Sequence, residues 1–104
     1  MNPTIFSALA ESNRFHIVEL LRDKPQAVGE LAQRLNIRQP QASKHLKVLA
    51  DAGIVVVRPR ANQRIYELTP AKFQEIDTWL EKYRKLWEDR LDRLDTLLKK
   101  VNKL

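Results

Sequence analysis

The sequence contains no cysteine. That excludes a disulfide framework and any metal site built on thiolates. Its two glycines, Gly29 and Gly53, stand far apart, so no glycine-rich loop can cradle a phosphate. Its two histidines, His16 and His45, are too few and too separated for a closed nitrogen-ligand metal site. No long uncharged apolar run occurs, so no transmembrane helix is expected. The N-terminus lacks the basic-then-apolar design of a secretory signal. No nucleophile–histidine–carboxylate set stands out. The expectation is a non-enzyme with no cofactor, no metal site and no membrane insertion, cytoplasmic by default.

What is present is a chain of 104 residues, 43 % hydrophobic, which suits one domain with a modest core. The formal net charge is +6, and its position matters more than its size. Between Arg38 and Arg64 stand Arg38, Lys44, Lys47, Arg58, Arg60 and Arg64 against Asp51 alone. The first 37 residues balance, and the segment from Pro70 onward is only slightly basic. An excess gathered in the middle third is the footprint of a surface that meets a polyanion.

The middle third is organised by the stretch from Arg38 to Ala52. Read as a helix, it carries Ala42, Leu46 and Leu49 on one apolar stripe. Gln41, Ser43, Lys44 and Lys47 point away from that stripe and offer amide, hydroxyl and ammonium groups. Such groups can donate to base edges and phosphates in a major groove. Pro40 near the start and Gly53 just past the end bound the helix. A solvated surface helix is the alternative reading of this stretch taken alone.

The flanking segments favour the first reading. Asn2-Pro3 reads as a cap and first-turn proline for a short helix through Ile5, Phe6 and Leu9. Ser12 can cap a second helix, which Lys24-Pro25 ends. Val28, Leu31, Ala32 and Leu35 form a third, with Ala27 a poor cap and Glu30 at the place of a capping-box partner. Asn36-Ile37-Arg38 is then a tight connection. Two short helices joined this way, the second polar and basic outside, make a helix-turn-helix.

The run from Ile54 to Arg60, the polar break Ala61-Asn62-Gln63, and Arg64 to Leu68 read as a two-stranded hairpin. Pro59 marks an edge strand, since it cannot donate to a ladder. A hairpin directly after a recognition-type helix reads as the wing of a winged helix-turn-helix, and Arg58, Arg60 and Arg64, which crowd its tip, would straddle a backbone or enter a minor groove. The alternative is that these arginines only solubilise an exposed edge.

Thr69 as cap and Pro70 as first-turn residue open the last helix. Its apolar positions are Phe73, Ile76, Leu80, Tyr83, Trp87, Leu91, Leu94, Leu98 and Val101, at helical spacing without interruption. Glu81 with Lys85 and Asp89 with Arg93 are expected pairs on its other face. A helix this long outruns so small a body and is expected to bury itself against a second copy of the chain.

The blocks Val28-Gly29-Glu30-Leu31-Ala32, Gln39 to Val55 and Arg64 to Leu68 resemble the ArsR family of winged-helix repressors. The tail from Trp79 to Leu94 looks like the subgroup that includes the SdpR-type autorepressors. The resemblance implies a homodimer that binds double-stranded DNA at a palindromic operator and blocks transcription. It implies base reading from the helix holding Gln39 to Lys47, with Gln39, Gln41, Ser43 and Lys44 toward bases. Lys47, Arg58, Arg60 and Arg64 would then contact phosphates, with Arg38 added where the family usually has a Ser or Thr cap. His45 is expected as a partly buried hydrogen-bonding residue near the DNA. A dimer interface of Ile5, Phe6 and Leu9 with Trp79, Tyr83, Trp87, Leu91 and Leu94 is implied as well. The family's metal sites use cysteines or histidines that this sequence does not carry there.

The expected fold is therefore mainly α with a small β-hairpin: a winged helix-turn-helix with a long C-terminal dimerisation helix. It is read as one domain over 1–104, with the DNA-binding body at 1–69 and the dimerisation helix at 70–104. A protein-interaction module docking through the long helix is the competing function, since fold does not fix function. The aromatic group Trp79, Tyr83 and Trp87 reads as core before it reads as a small-molecule pocket. Whether an effector or a sequestering protein controls release from DNA stays open at this point.

Overall fold

The computed structural model describes residues 2–102. In chain order the elements are α1 Thr4–Leu9, α2 Ser12–Leu21, β1 Gln26–Ala27, α3 Val28–Leu35, α4 Gln39–Asp51, β2 Val55–Arg60, β3 Gln63–Leu68 and α5 Pro70–Asn102. The architecture is a mainly helical winged helix-turn-helix, as expected. The sheet has three antiparallel strands in the order β1-β3-β2, one more than the hairpin read from sequence. The added strand pairs Gln26 with Tyr66 and Ala27 with Ile65. Two residues are too short to show a period, which is why β1 escapes a pattern search.

By contacts the chain divides into a compact body, Asn2–Phe73, and a second unit from Gln74 onward. The body therefore takes in the first turn of α5, past the boundary expected at Thr69. Its core is Ile5, Ile17, Leu31, Leu46, Leu49, Ile54 and Val55, with Ala42 filling the close approach between helices. Burying one such leucine or isoleucine contributes about 2 kcal/mol. A surface ion pair contributes under about 1 kcal/mol. The apolar stripe, not the surface charges, holds α3 and α4 together.

The helix ends follow local chemistry. Asn2 Oδ1 accepts from the Thr4 amide at 2.9 Å, so Asn2 caps α1 as read. Helix α2 is capped by Glu11 instead of Ser12: the Glu11 carboxylate accepts from the Arg14 amide at 2.9 Å. Ala27 gives α3 no side-chain cap. Asn36 ends α3 in the left-handed region (φ 56°), and the Ile37 amide returns to the Ala32 carbonyl at 3.0 Å. Thr69 precedes α5, but its hydroxyl is buried without a partner, and its amide donates to the Ile54 carbonyl at 2.9 Å.

The end of α4 is the tightest of these junctions. Gly53 adopts φ 78°, and its amide donates to the Ala50 carbonyl at 2.9 Å. The Ile54 amide then reaches the Leu49 carbonyl at 2.9 Å, completing a Schellman motif that turns the chain into β2. A Cβ on Gly53 would lie 2.7 Å from Lys72 Cε, which the flexible lysine stem can relieve. The positive φ cannot be relieved. Gly53→Ala is therefore expected to cost about 1–2 kcal/mol, read as a lower urea midpoint at unchanged slope. An unchanged midpoint would show that the left-handed cap is dispensable.

Candidate nucleic-acid interface

Helix α4 presents its two faces as its sequence dictates. Ala42, Leu46 and Leu49 are buried, and Gln39, Gln41, Ser43, Lys44 and Lys47 are exposed. Arg38 takes an extended conformation before α4, and Pro40 lies in the first turn. Arg38 has no oxygen to cap the first-turn amides, and Gln41 makes only the reciprocal contact of a capping box, its Oε1 accepting from the Arg38 amide at 3.2 Å. Gln41 thus serves the start of the helix while facing solvent.

The wing is a hairpin with the two-residue turn Ala61-Asn62, and Arg60 pairs with Gln63 across it. Ala61 holds φ 56°, a left-handed position that usually takes glycine. Strand β2 is an outer strand of the sheet, as Pro59 requires. Arg60 and Arg64 are exposed at the tip. Arg58 is not free in the same sense: its Nε lies 2.6 Å from Glu67 Oε1 on β3.

Between α3, α4 and the wing lies an open groove of about 750 Å³. Gln39 and Ser43 line it from α4, Gly29, Glu30 and Gln33 from α3, and Asn62, Gln63 and Arg64 from the wing. The groove joins Gln39 and Ser43 to Arg64, which the sequence separates by about 20 residues. It also enlists Gln33, Asn62 and Gln63, which were not among the residues read as DNA-contacting. The signal for Asn62 and Gln63 was there: a two-residue turn puts both beside the tip arginines. Arg64 from the wing and Glu30 from α3 are the charged groups that line the groove, and Lys44, Lys47 and Arg60 are further exposed cations on α4 and the wing tip.

His45 lies elsewhere. It is half-buried, and its Nδ1 stands 3.6 Å from Glu11 Oε2. This side chain faces the α2 cap instead of joining the outer row of α4.

A helix-turn-helix domain family model matches residues 9–58. An HTH-type transcriptional regulator of Mycobacterium tuberculosis is 42 % identical over 78 residues, covering 75 % of this chain and 73 % of that protein. A crystal structure of an ArsR family transcriptional regulator superposes with a TM-score of 0.73 at 29 % identity, over 82 % of this chain and 93 % of that one. The chain belongs to the ArsR family of winged helix-turn-helix transcriptional regulators. That is a family of DNA-binding regulators and not of enzymes. The transcriptional repressor SdpR of Bacillus subtilis is 26 % identical over 73 % of this chain and 84 % of its own.

In this ArsR-family chain the residues read as a dimer interface divide. Ile5 is 2 % exposed and belongs to the body core, because α1 packs that side onto α2 and α4. Phe6 is exposed and Leu9 half-buried. On α5, Trp79 is half-buried and its ring lies 5.0 Å from that of Tyr83, tilted by 57°. Tyr83, Trp87, Leu91 and Leu94 are exposed, with the Arg90 guanidinium 5.5 Å from the Trp87 ring centre. Glu81 is held by Arg84 at 2.7 Å, and not by Lys85 as read from spacing. Among the described residues no group of three or more His, Cys, Asp or Glu side chains is arranged for a metal ion. No described helix is long and apolar enough to cross a membrane.

The titration of Glu11, the α2 cap, is displaced downward. The Arg14 amide holds it below the ordinary value of 4.5, opposed by burial and aided by the Asn13 amide, His45 and Arg14. A lowered folded pKa stabilises the fold above the unfolded value, and the contribution disappears as pH falls through the folded one. By the scale of other N-cap side chains, Glu11→Ala should cost about 1 kcal/mol at neutral pH. The difference from wild type in urea denaturation should shrink below about pH 4.5. A difference that stays constant into acid would remove Glu11 from the pH dependence.

Proposed function

We propose that the chain is a homodimeric repressor that recognises a palindromic operator in double-stranded DNA and acts without a sensing metal or other cofactor in the cytoplasm. The observation that carries this reading is the groove that joins the exposed face of α4 to the wing tip. Gln39, Ser43 and Lys44, with Gln41 once it leaves the Arg38 amide, supply donors and acceptors for base edges. Lys47, Arg60 and Arg64, with Arg38 beside them, supply cations for phosphates. Two copies would set their α4 helices about 34 Å apart on one face of the duplex. The whole chain then acts as one domain, the body reading DNA and α5 pairing two copies. Placement beside the SdpR-type autorepressors, and with it repression of its own gene, is part of this reading and rests on the aromatic run of the tail.

The deciding experiment is selection from randomised duplex at two salt concentrations. An inverted repeat with half-sites about one helical turn apart is expected. Recovery of unbiased DNA that washes off at higher salt would overturn sequence-specific recognition and leave only electrostatic adhesion.

Two residues separate reading from holding. Lys44→Ala should cost about 1–3 kcal/mol on the selected site and relax preference at one base position. Arg60→Ala should weaken every sequence alike and flatten the salt dependence by about one unit. Binding isotherms on matched and mismatched duplexes distinguish the two, and exchange of these patterns would reverse the assignments.

The homodimer is supported by the run of exposed apolar residues on α5. Leu91 is 61 % exposed and Trp87 58 %, and such a run on a soluble chain calls for a covering surface. Leu91→Glu should therefore convert the dimer to monomer at micromolar concentration in sedimentation equilibrium and weaken operator binding steeply. A dimer unaffected by Leu91→Glu would move the interface off α5.

A further inference from the structure

The geometry points to His45 as a positioning residue: with Glu11 it forms a clasp between the α2 cap and the DNA-reading helix α4, which tightens when His45 gains a proton and raises operator affinity. The inference rests on the DNA-binding reading above.

His45 sits in the middle of α4, one turn after Gln41 and one turn before the buried Leu49. Its Nδ1 lies 3.6 Å from Glu11 Oε2, too long for a strong hydrogen bond and within reach of an ion pair. The two side chains are 21 % and 35 % exposed, so water screens the pair only in part. Glu11 is itself fixed. Its Oε2 accepts from the Arg14 amide at 2.9 Å, and Arg14 Nε donates to the Ala8 carbonyl at 2.6 Å. The α1–α2 corner is thereby closed, and a charge on His45 pulls α4 against an anchored carboxylate.

The other charges around α4 fix the sign. Helix α1 carries none, and α2 brings Arg14, whose charge also acts on Glu11, with the exposed His16, Glu19 and Arg22. Helix α3 brings Glu30, which lines the wing groove, and the exposed Arg34. Strand β2 brings Arg58, committed to Glu67, and Arg60 at the tip. Lys44 and Lys47 on α4 itself oppose a positive His45. Among the described residues Glu11 is the one anion within 4 Å of it. Histidine side chains change charge between about pH 5 and 8. Glu11, held below the ordinary carboxylate range, stays ionised through that window. DNA binding and proton binding are then linked, and each strengthens the other.

The test measures operator affinity at constant ionic strength between about pH 8 and about pH 6. Wild type should tighten by about five-fold as pH falls. His45→Gln should lose that rise, Glu11→Gln should reduce it while keeping the cap, and His16→Gln should keep it, since His16 is exposed on α2 beside Phe15. A rise that persists in His45→Gln, or is missing in wild type, overturns the clasp. A second readout needs no DNA: the melting temperature of wild type minus that of His45→Gln should be larger at the lower pH. If it is flat, the clasp is overturned. If it grows while no duplex is bound at any pH, the clasp stands and the DNA-binding reading falls.

Discussion

The structure depends on one constraint: α4 can bury only one of its faces. Ala42, Leu46 and Leu49 spend that face on the body core, together with Leu31 from α3. The polar side chains of α4 other than His45 must then face outward, and the Gly53 cap sends the chain straight into β2. The wing is therefore built beside the exposed row and not behind it. A single apolar stripe three residues long decides both how the body closes and where its polar groups gather.

The groove follows from that closure. Helix α3 packs on α4, β1 hydrogen-bonds β3, and the hairpin tip is brought to the side where α4 begins. Gln26 secures the join from within. Its Nε2 donates to the Leu20 carbonyl at 2.7 Å and the Lys24 carbonyl at 3.2 Å, closing the end of α2 where β1 starts. The result is a polar concavity lined by amides, a hydroxyl, Glu30 and Arg64, with further cations exposed on α4 and the wing tip. Recognition by such a surface divides the labour: neutral amides and a hydroxyl inside can discriminate, and the cations outside supply affinity that salt weakens.

Much of this was legible because punctuation was strong. Pro40 and Gly53 bound α4, Pro59 named the edge strand, and an unbroken period announced α5. What was illegible lies at borders. Ser12 and Glu11 are both able caps, and only the packing of the corner selects Glu11. Ile5 and Phe6 are adjacent and apolar, and the orientation of α1 decides that Ile5 enters the core. Thr69 has the chemistry of a cap, but its hydroxyl is turned where nothing meets it. His45 borders the stripe at Leu46, so periodicity alone left it on either face. Its partner belongs to a distant helix and could not be read from local spacing. The groove was the least visible feature, because it is made by register and closure and not by any run of residues.

The two surfaces of the molecule also differ in how they use charge, and the difference bears on what each is for. On α5, Arg84 is tied to Glu81 at 2.7 Å and to Asp77 at 3.3 Å, and Lys99 to Asp95 at 3.2 Å. Those pairs neutralise the helix along its own length, and the two at i,i+3 and i,i+4 spacing are worth about 0.2–0.5 kcal/mol each. They support a helix of roughly 50 Å without creating a field. Lys44, Lys47, Arg60 and Arg64 are arranged oppositely: among the described residues none makes an ion pair within 4 Å. Exposed cations left without partners forgo stabilisation that a neighbouring carboxylate would supply at no structural cost. A sequence that places acids freely on α5 and almost none beside α4 keeps those cations available. Their availability is a property of the folded surface, and it favours a polyanion over a protein as the partner of that face.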